Sequence, residues 1–428
     1  MPKVWTASEE ITADKLNKTG IIAYDCIVDA AGFGDYTNLS DAISAGKLRV
    51  FVKSGTYAVS ANISIPANAS IIGEDWQSVV LSFSNAQLLL NNAFITLRDL
   101  KFAGYKTFDA FVKGNGDDVK IEHCQVLQTP QGNNNDTINL SGLRSSIVDS
   151  YLQMTNNCYM TGQYALFARN RVSSVDKTSN GNNCQIYLSG DDAICIDNWL
   201  KITDSGAGYL GYGINLGGQR SIAKGNNVMK TDSISSGQFG IYAGGNGSDV
   251  SNNRITGFQT GIYLNADNRQ TCVGNSLYNQ RAAGISVNGY TNQGYGYKTV
   301  VGNVVHSPAG DGIQISVGAM CLISGNAIYG AGGKGINLGT GASWRTIVTN
   351  NEVAYCTSHG IFADGGGSSN GLQNGIVCNN LVYGNSGEGI YIRVYSCTII
   401  GNMCSSNSGT NFDVTNVGNS QIANNVTS

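Results

Sequence analysis

Two groups of residues in the sequence have the chemistry of a catalytic site. The first consists of Asp136, in the run NNNDTINL, and the adjacent Asp191 and Asp192, in the run SGDDAICI. Two carboxyl groups on either side of a glycosidic bond can act as general acid and general base in hydrolysis. Adjacent carboxylates also repel each other, which raises the pKa of one and leaves a proton donor near neutral pH. These three aspartates are therefore the candidate catalytic residues.

The second group lies nearer the C-terminal end and contains Glu388, His359 and Lys334, with Asp364 and Arg393 close in sequence. A histidine and a glutamate within hydrogen-bonding distance can perform general acid–base catalysis. The same residues also fit a surface ladder of alternating charges that stabilises stacked strands. The sequence leaves both interpretations open, and this group is the second-choice site.

Aromatic and basic residues add candidate substrate contacts. Tyr242 and Tyr263 are spaced so that their rings can stack on sugar rings, although such rings also stabilise neighbouring strands. Lys201 is a third candidate, since it follows the acidic run 191–197. A Ca²⁺ ion held by that run would acidify a proton of a uronate, and Lys201 would be the base. The sequence otherwise predicts no metal site and no cofactor.

An internal repeat indicates which elements position these residues. The pattern Gly-Ile-x-apolar recurs at intervals of 21 to 29 residues, and a second pattern, Asn-x-apolar, keeps the same period. Short β-branched strands with no helical stripe between them are typical of a β-solenoid. The glycines of the first pattern are Gly213, Gly240, Gly261, Gly284, Gly312, Gly335, Gly360 and Gly389. The asparagines of the second are Asn226, Asn253, Asn275, Asn303, Asn326, Asn351, Asn380 and Asn402.

The repeat predicts that equivalent strands of successive coils pair in parallel. We expect the glycines to permit a turn conformation denied to other residues, and the asparagines to form a hydrogen-bonded ladder. The first column extends upstream, with looser letters, to Asp136 and Asp192. With one coil between them, their carboxylates would lie ~9–10 Å apart. This is near the upper end of the ~6.5–9.5 Å found in inverting glycosidases.

Composition supports a folded chain with many tight turns. The 428 residues include 56 Gly and 4 Pro, with 41% hydrophobic and 13% charged residues, which excludes a disordered chain. A net charge of -3 predicts neither a basic face for nucleic acid nor a nucleic-acid partner. The 11 cysteines follow no disulfide or metal spacing, so we expect mostly free, buried thiols. No apolar run predicts a membrane span or a signal peptide.

The N-terminal region carries two resemblances. The stretch DAAGFGDYTNLSDAISAGKLRVFVKSGTY, with the repeat, resembles the pectin-lyase-like superfamily over residues 25–428. The opening VWTASEEITADKLNK, within a segment 1–24, is similar to the N-terminal segment of phage tail and tailspike proteins. The resemblance implies an all-β, right-handed parallel β-helix that binds or cuts polysaccharide along its flank. Its viral members imply a homotrimer in a virion or released by lysis. A short helix at 36–47 is expected to cap the open end of the stack.

Part of the first candidate group is also similar to polygalacturonase-type hydrolases. The segments NND (134–136) and GDD (190–192) match two of their catalytic segments in order. The histidine segment of those enzymes follows about a coil later, whereas SHG (358–360) comes some six coils after Asp192. At one strand spacing per coil that is roughly 30 Å. The motif is therefore half present, and His359 is not expected in the same site.

These observations predict a polysaccharide-degrading glycoside hydrolase in which Asp136 and one of Asp191 and Asp192 act as base and acid. Two alternatives stay open: a polysaccharide lyase acting on uronate polymers, and a non-catalytic receptor-binding or structural rod of a phage tail. The glycan and the oligomeric state are not specified by the sequence.

Overall fold

The computed structural model describes most of the chain in two compact units. The first contains Met1–Gly181, Gln185–Gly190 and Thr203–Gly206, and the second contains Asn182–Cys184, Asp191–Ile202 and Ala207–Ser428. The described residues are 24–105, 109–128, 136–154, 157–174, 183–203, 211–231, 238–266, 269–288, 296–316, 320–339, 343–364, 372–416 and 419–428. Almost all of the predicted N-terminal segment 1–24 lies outside them.

Within each unit, successive coils contribute strands in the chain order A, B, C to three parallel sheets that carry these letters. In the first unit, sheet A contains Cys26–Val28, Arg49–Val52, Ser70–Gly73, Thr96–Arg98, Lys120–Glu122, Ser146–Val148 and Leu166–Ala168. Its sheet B contains Gly55–Val59, Val79–Ser84, Lys101–Tyr105, Gln125–Gln128, Tyr151–Met154 and Arg171–Ser174. Its sheet C contains Ile63–Ser64, Leu88–Leu89, Val112–Gly114, Ile138–Leu140, Cys158–Met160 and most of Asn183–Leu188.

The second unit repeats the arrangement. Its sheet A contains Ile194–Ile196, Ile222–Lys224, Asp249–Ser251, Gln270–Val273, Tyr297–Val301, Met320–Ser324, Ile347–Thr349, Ile376–Cys378, Thr398–Ile400 and Gln421–Ala423. Its sheet B contains Trp199–Ile202, Asn227–Lys230, Arg254–Thr256, Ser276–Tyr278, Val304–His306, Ala327–Tyr329, Glu352–Ala354, Leu381–Tyr383, Met403–Ser405 and Val426–Thr427. Its sheet C contains Gly211–Leu216, Phe239–Ala243, Thr260–Leu264, Ile285–Val287, Ile313–Ile315, Ile336–Asn337, Ser343–Trp344, Ile361–Ala363, Leu372–Gln373, Ile390–Tyr395 and Phe412–Asn416.

Alternation along the strands builds the core. Ile241, Ile262 and Ile285 are fully buried and pair in register on successive strands of sheet C, while the next residue of each strand points outward. Each coil buries its apolar side chains against the equivalent side chains of its neighbours. The predicted all-β parallel solenoid is confirmed.

The asparagine column forms a buried ladder in the turns between sheets A and B. Asn303, for example, is fully buried, and its Nδ2 donates to the carbonyl of Cys272 and to Oδ1 of Asn326 at 2.9 Å each. Its Oδ1 in turn accepts hydrogen bonds from the backbone and the side chain of Asn275. Every polar atom of the amide therefore has a partner, which a buried amide requires. The predicted ladder is confirmed.

The glycines of the column are required for a different reason from the one expected. None of its eight glycines has a positive φ. Instead, a Cβ at Gly312 would lie 2.6 Å from the carbonyl oxygen of Gly335 and would also collide with the side chain of Ile328. The column is glycine because sheet C approaches both the next coil and the sheet B side chains closely. The expectation of a special turn conformation was wrong.

The predicted N-terminal helix is confirmed in its central part, Leu39–Ser44. Asn38 caps its first turn by accepting from the backbone N–H of Asp41, and Leu39 and Ala42 are buried beneath it. Gly46, with a φ of 75°, takes the left-handed conformation just beyond the C-terminal end. In the described part of the chain, no helix is long and apolar enough to cross a membrane.

The cysteines are predominantly core residues, as predicted. The described cysteines form no disulfide, and all of them except the half-buried Cys378 are buried. Burial raises the pKa of the Cys124 and Cys321 thiols to about 12. These side chains therefore act as small apolar groups.

Candidate functional site

The outer side of sheet C in the second unit, here called the C face, carries an outward column of side chains, each two residues after a repeat glycine. Its members pair in register from strand to strand, so the repeat correctly placed one side chain on each coil. They are Asn215, Tyr242, Tyr263, Ser286, Gln314, Asn337, Phe362 and Tyr391.

Four rings at one end of the C face form an aromatic patch: Tyr212, Phe239, Tyr242 and Tyr263. The rings of Phe239 and Tyr263 stack with centroids 4.7 Å apart and planes inclined by 22°. Tyr212 stacks on Phe239 at 5.6 Å and meets Tyr242 at 4.9 Å. All four side chains are half-buried, so part of each ring stays open to a ligand. The patch brings together the two predicted tyrosines.

Amide side chains border the patch. Asn265 donates through Nδ2 to the Tyr242 hydroxyl at 2.6 Å, and Asn288 donates to the Tyr263 hydroxyl at 3.1 Å. Asn288 also donates to Oδ1 of Asn265 at 2.9 Å. Burial raises the pKa of the Tyr263 phenol. Rings with fixed tilt and polar groups at their rim suit a ligand that has both apolar faces and hydroxyl groups.

The second-choice residues meet at the other end of the C face, in a group we call the His359 cluster: Lys334, His359, Phe362, Glu388 and Tyr391. Nδ1 of His359 contacts Oε2 of Glu388. The backbone N–H of Glu388 also approaches this nitrogen, at 3.3 Å. In the neutral tautomer with its proton on Nδ1, the carboxylate accepts that proton and Nε2 is a base.

Aromatic rings enclose this pair. The ring of His359 stacks on Phe362 at 5.0 Å and on Tyr391 at 5.4 Å, and Phe362 and Tyr391 are inclined by 11°. Nζ of Lys334 lies 3.9 Å from the centroid of Phe362. The cluster therefore combines a histidine–carboxylate contact, a cation and a flat ring surface, and His359 and Glu388 are half-buried.

Other charges near the cluster already have partners. Oδ1 of Asp364 lies 3.3 Å from the guanidinium of Arg393. Asp311 accepts from the backbone of Lys334 at 2.8 Å and from Nδ2 of Asn337 at 2.7 Å. These contacts fix the surroundings of the cluster.

The first-choice aspartates have structural contacts. Asp192 has a φ of 58° and accepts two hydrogen bonds from the guanidinium of Arg220 at 2.7 Å each. Asp191 accepts from the backbone N–H of Gln219 at 2.9 Å. The same bidentate contact joins Asp118 to Arg144 in the first unit. The GDD segment thus helps to join successive turns between sheets C and A.

Asp136 and Asp192 do not lie in one column, so the prediction that they share a column was wrong. Asp136 precedes the strand Ile138–Leu140 of sheet C, whereas Asp192 precedes Ile194–Ile196 of sheet A. Asp136 belongs to the first unit, and its Oδ2 lies 3.4 Å from Nδ2 of Asn139. Residues 134 and 135 of the NND segment lie outside the described residues. A catalytic role for these aspartates stays a prediction.

Lys201 does not join the predicted tyrosines. It lies on sheet B, in register with Met229, whereas Tyr242 and Tyr263 lie on sheet C. The acidic run is also divided, because Asp197 follows the strand that Asp191 and Asp192 precede. Across the described ranges, no group of three or more His, Cys, Asp or Glu side chains could hold a metal ion.

From the sequence, several residues of the C face were identified only by their position in the repeat. Tyr212 and Phe239 complete the patch, and Phe362 and Tyr391 enclose the histidine. The sequence does indicate these residues, because aromatic residues occupy the same two positions of the repeat on neighbouring coils. The bordering Asn265 and Asn288 gave no such signal, since asparagine is frequent throughout the turns.

Fold and face together define a class: an all-β parallel solenoid with an aromatic and acid–base surface on one outer wall. Residues 186–374 match a family described as periplasmic copper-binding protein (NosD). The described residues hold no group of three or more His, Cys, Asp or Glu side chains that would fit a copper ion. No curated protein gives a significant match.

Several solved structures are similar at low sequence identity. A tailspike protein of E. coli bacteriophage HK620, in complex with a hexasaccharide, is 12% identical with a TM-score of 0.47, covering 89% of this chain and 73% of its own. The catalytic domain of a GH87 α-1,3-glucanase, in complex with tetrasaccharides, is 10% identical with a TM-score of 0.44, covering 94% and 67%. The periplasmic alginate epimerase AlgG is 12% identical with a TM-score of 0.37, covering 100% and 99%.

Proposed function

We propose that this protein cleaves a polysaccharide and that the C face of its second unit binds the polysaccharide. The observation that carries this proposal is the aromatic patch, in which four half-buried rings are held at fixed tilt beside amide groups. Sugars have apolar C–H faces that stack on aromatic rings and hydroxyl groups that hydrogen-bond at the rim.

The length of the C face favours a polymer over a single sugar. Four strand steps separate Tyr263 of the patch from Phe362 of the His359 cluster. At about 4.8 Å per step, the two lie roughly 19 Å apart. One extended glycan would therefore contact the patch and the cluster at once, with the uncharged Ser286 and Gln314 beneath it.

Hydrolysis is the predicted reaction, with Asp136 and one of Asp191 and Asp192 as base and acid. Its support is the chemistry of paired carboxylates. The bidentate contact of Asp192 with Arg220 gives this carboxylate a structural task as well. Hydrolysis is therefore tested by the products of cleavage and by substitution of these aspartates.

The His359 cluster favours elimination across a uronate as a second candidate. Nε2 of His359 would remove the C5 proton, the C4–O4 bond would break, and a C4=C5 double bond would form. The hydroxyl of Tyr391 would supply the proton to the leaving O4, and Lys334 would face the substrate carboxylate. In this candidate His359 replaces Lys201 as the base, because Lys201 lies on sheet B.

A panel of neutral and uronate-containing polysaccharides tests both candidates. Retarded migration of the protein in a gel containing the polysaccharide measures binding. New reducing ends without ultraviolet absorbance indicate hydrolysis, and reducing ends with the absorbance of an unsaturated uronate indicate elimination. Binding without new ends supports the non-catalytic rod. Absence of binding across the panel contradicts the proposal.

A further inference from the structure

One buried polar atom on the C face lacks a hydrogen-bond partner. Asn215 is 7% exposed, and its Oδ1 is buried with no hydrogen-bonding group of the described residues near enough to donate to it. A buried acceptor without a donor destabilises the folded protein, so such atoms are rare in native structures. The position of this atom is therefore informative.

Asn215 lies next to the aromatic patch. It is in register with Tyr242 on the neighbouring strand and follows Tyr212 by three residues on its own strand. The rings of these two tyrosines meet at 4.9 Å. The unpartnered oxygen thus belongs to a residue that borders the aromatic patch.

A second asparagine of the same column shows what a purely structural amide looks like here. Asn337 is 8% exposed, its Nδ2 donates to Asp311 at 2.7 Å, and its Oδ1 accepts from the backbone N–H of Gly339 at 3.0 Å. An asparagine of this column can therefore be equally buried and still have a donor for its oxygen. The missing donor at Asn215 results from the groups that surround this residue.

We propose that Asn215 is a specificity-determining residue of the aromatic patch, and that its Oδ1 accepts a hydrogen bond from a hydroxyl or amide N–H group of an uncharged sugar unit stacked on Tyr212 and Tyr242. Rotation of the Asn215 side chain about Cα–Cβ turns the amide toward that group. An acceptor oxygen bordered by ring faces repels a carboxylate, so a uronate is disfavoured at this position. The inference rests on the proposed function of the C face.

Replacing Asn215 with Leu separates this role from a structural one. The variant removes the unpartnered oxygen while keeping a side chain of similar size, so we expect a higher Tm than the wild type. Affinity for the polysaccharide selected from the panel falls about tenfold, because the hydrogen bond to the sugar is lost. Asn303→Leu, in the ladder between sheets A and B and away from the C face, is the control: it breaks existing hydrogen bonds, so it lowers the Tm and leaves the affinity within about twofold.

A second variant guards against a folding defect. Asn215→Asp keeps the shape and an acceptor but adds a negative charge, and we expect it to bind uncharged oligosaccharides and to reject uronate oligosaccharides more strongly than the wild type does. If the wild type binds polysaccharide and both Asn215 variants bind it with unchanged affinity, the role of Asn215 is overturned. If the wild type binds nothing in the panel, the proposed function itself fails. If Asn215→Leu lowers the Tm and affinity is unchanged, Asn215 is a structural residue.

Discussion

His359 and Glu388 lie on neighbouring coils of sheet C, and Nδ1 of His359 contacts Oε2 of Glu388. The strands that follow them are paired in register from Ile361 and Ile390 onward, which holds the two side chains one strand spacing apart. Stacking on Tyr391 fixes the plane of the imidazole. The pair is therefore oriented before any ligand arrives, as a general acid–base group requires.

Replacing Glu388 with Gln removes the carboxylate that orients this imidazole. We expect the rate of polysaccharide cleavage to fall by about 10²–10⁴-fold, the usual contribution of a positioned acid–base group. Affinity is expected to stay near the wild-type value, because the patch is untouched. Initial rates and dissociation constants on the same polysaccharide measure the two effects separately.

The control for this variant is Glu352→Gln on sheet B of the same unit. Glu352 is also a half-buried glutamate and accepts a hydrogen bond from Tyr383 at 2.9 Å. We expect it to cleave at the wild-type rate. Equal losses in both variants would show a general defect, and full activity of Glu388→Gln would remove the His359 cluster from catalysis.

The paired-aspartate hydrolase makes its own prediction. It requires that Asp136→Asn and Asp192→Asn each lower the cleavage rate while the affinity for the polysaccharide is kept. Asp118→Asn is a matched control for Asp192, since Asp118 makes the same bidentate contact with an arginine, Arg144. If Asp192→Asn retains the full rate, these aspartates have only their structural contacts.

The asparagine ladder predicts a large loss of stability from one substitution. Asn303→Ala removes a fully buried amide, so the carbonyl of Cys272 loses a donor and the backbone N–H of Asn275 loses its acceptor. We expect the free energy of unfolding to fall by about 1–3 kcal/mol. Gln219→Ala, at an exposed amide side chain, should change it by less than about 0.5 kcal/mol. Urea unfolding followed by circular dichroism measures both, and equal effects would contradict the ladder.

Burial of the cysteine thiols predicts that they do not react with thiol reagents while the protein is folded. Because burial raises the pKa of Cys321 to about 12, almost none of this thiol is ionised at neutral pH. Among the described cysteines, we expect a thiol reagent to react with the folded protein only at the half-buried Cys378. Release of the remaining thiols should follow unfolding. Rapid labelling of Cys321 in the folded protein would show that its coil opens.

Sequence predicted the parts of the fold that recur in every coil. The asparagines at the A–B turns were found because each amide bonds to the next one, so asparagine recurs from coil to coil. The outward column was correct from Asn215 to Tyr391 because each member lies two residues after a repeat glycine. The glycines were located correctly but explained wrongly, because their cause is the approach of sheet B side chains, which only the folded packing shows.

The site was harder to predict from the sequence. The run DAICI, which follows Asp191, resembles the sequence of a sheet C strand but forms a sheet A strand. Asp192 therefore lies outside the column in which it was expected. His359 and Glu388 were placed next to each other correctly because both precede a Gly-Ile pair. The unpartnered oxygen of Asn215 left no trace in the sequence, since Asn337 has the same residue type in the same column and is fully bonded.

The most direct test of the glycan-binding C face is the dissociation constant of the selected polysaccharide for Tyr242→Ala, measured beside Tyr278→Ala. Tyr278 is a half-buried tyrosine on the outer side of sheet B in the same unit, and it contacts Arg254 rather than the patch. We predict about tenfold weaker binding for Tyr242→Ala and wild-type binding for Tyr278→Ala. Equal affinities for the two variants would contradict the claim that the polysaccharide binds along the C face.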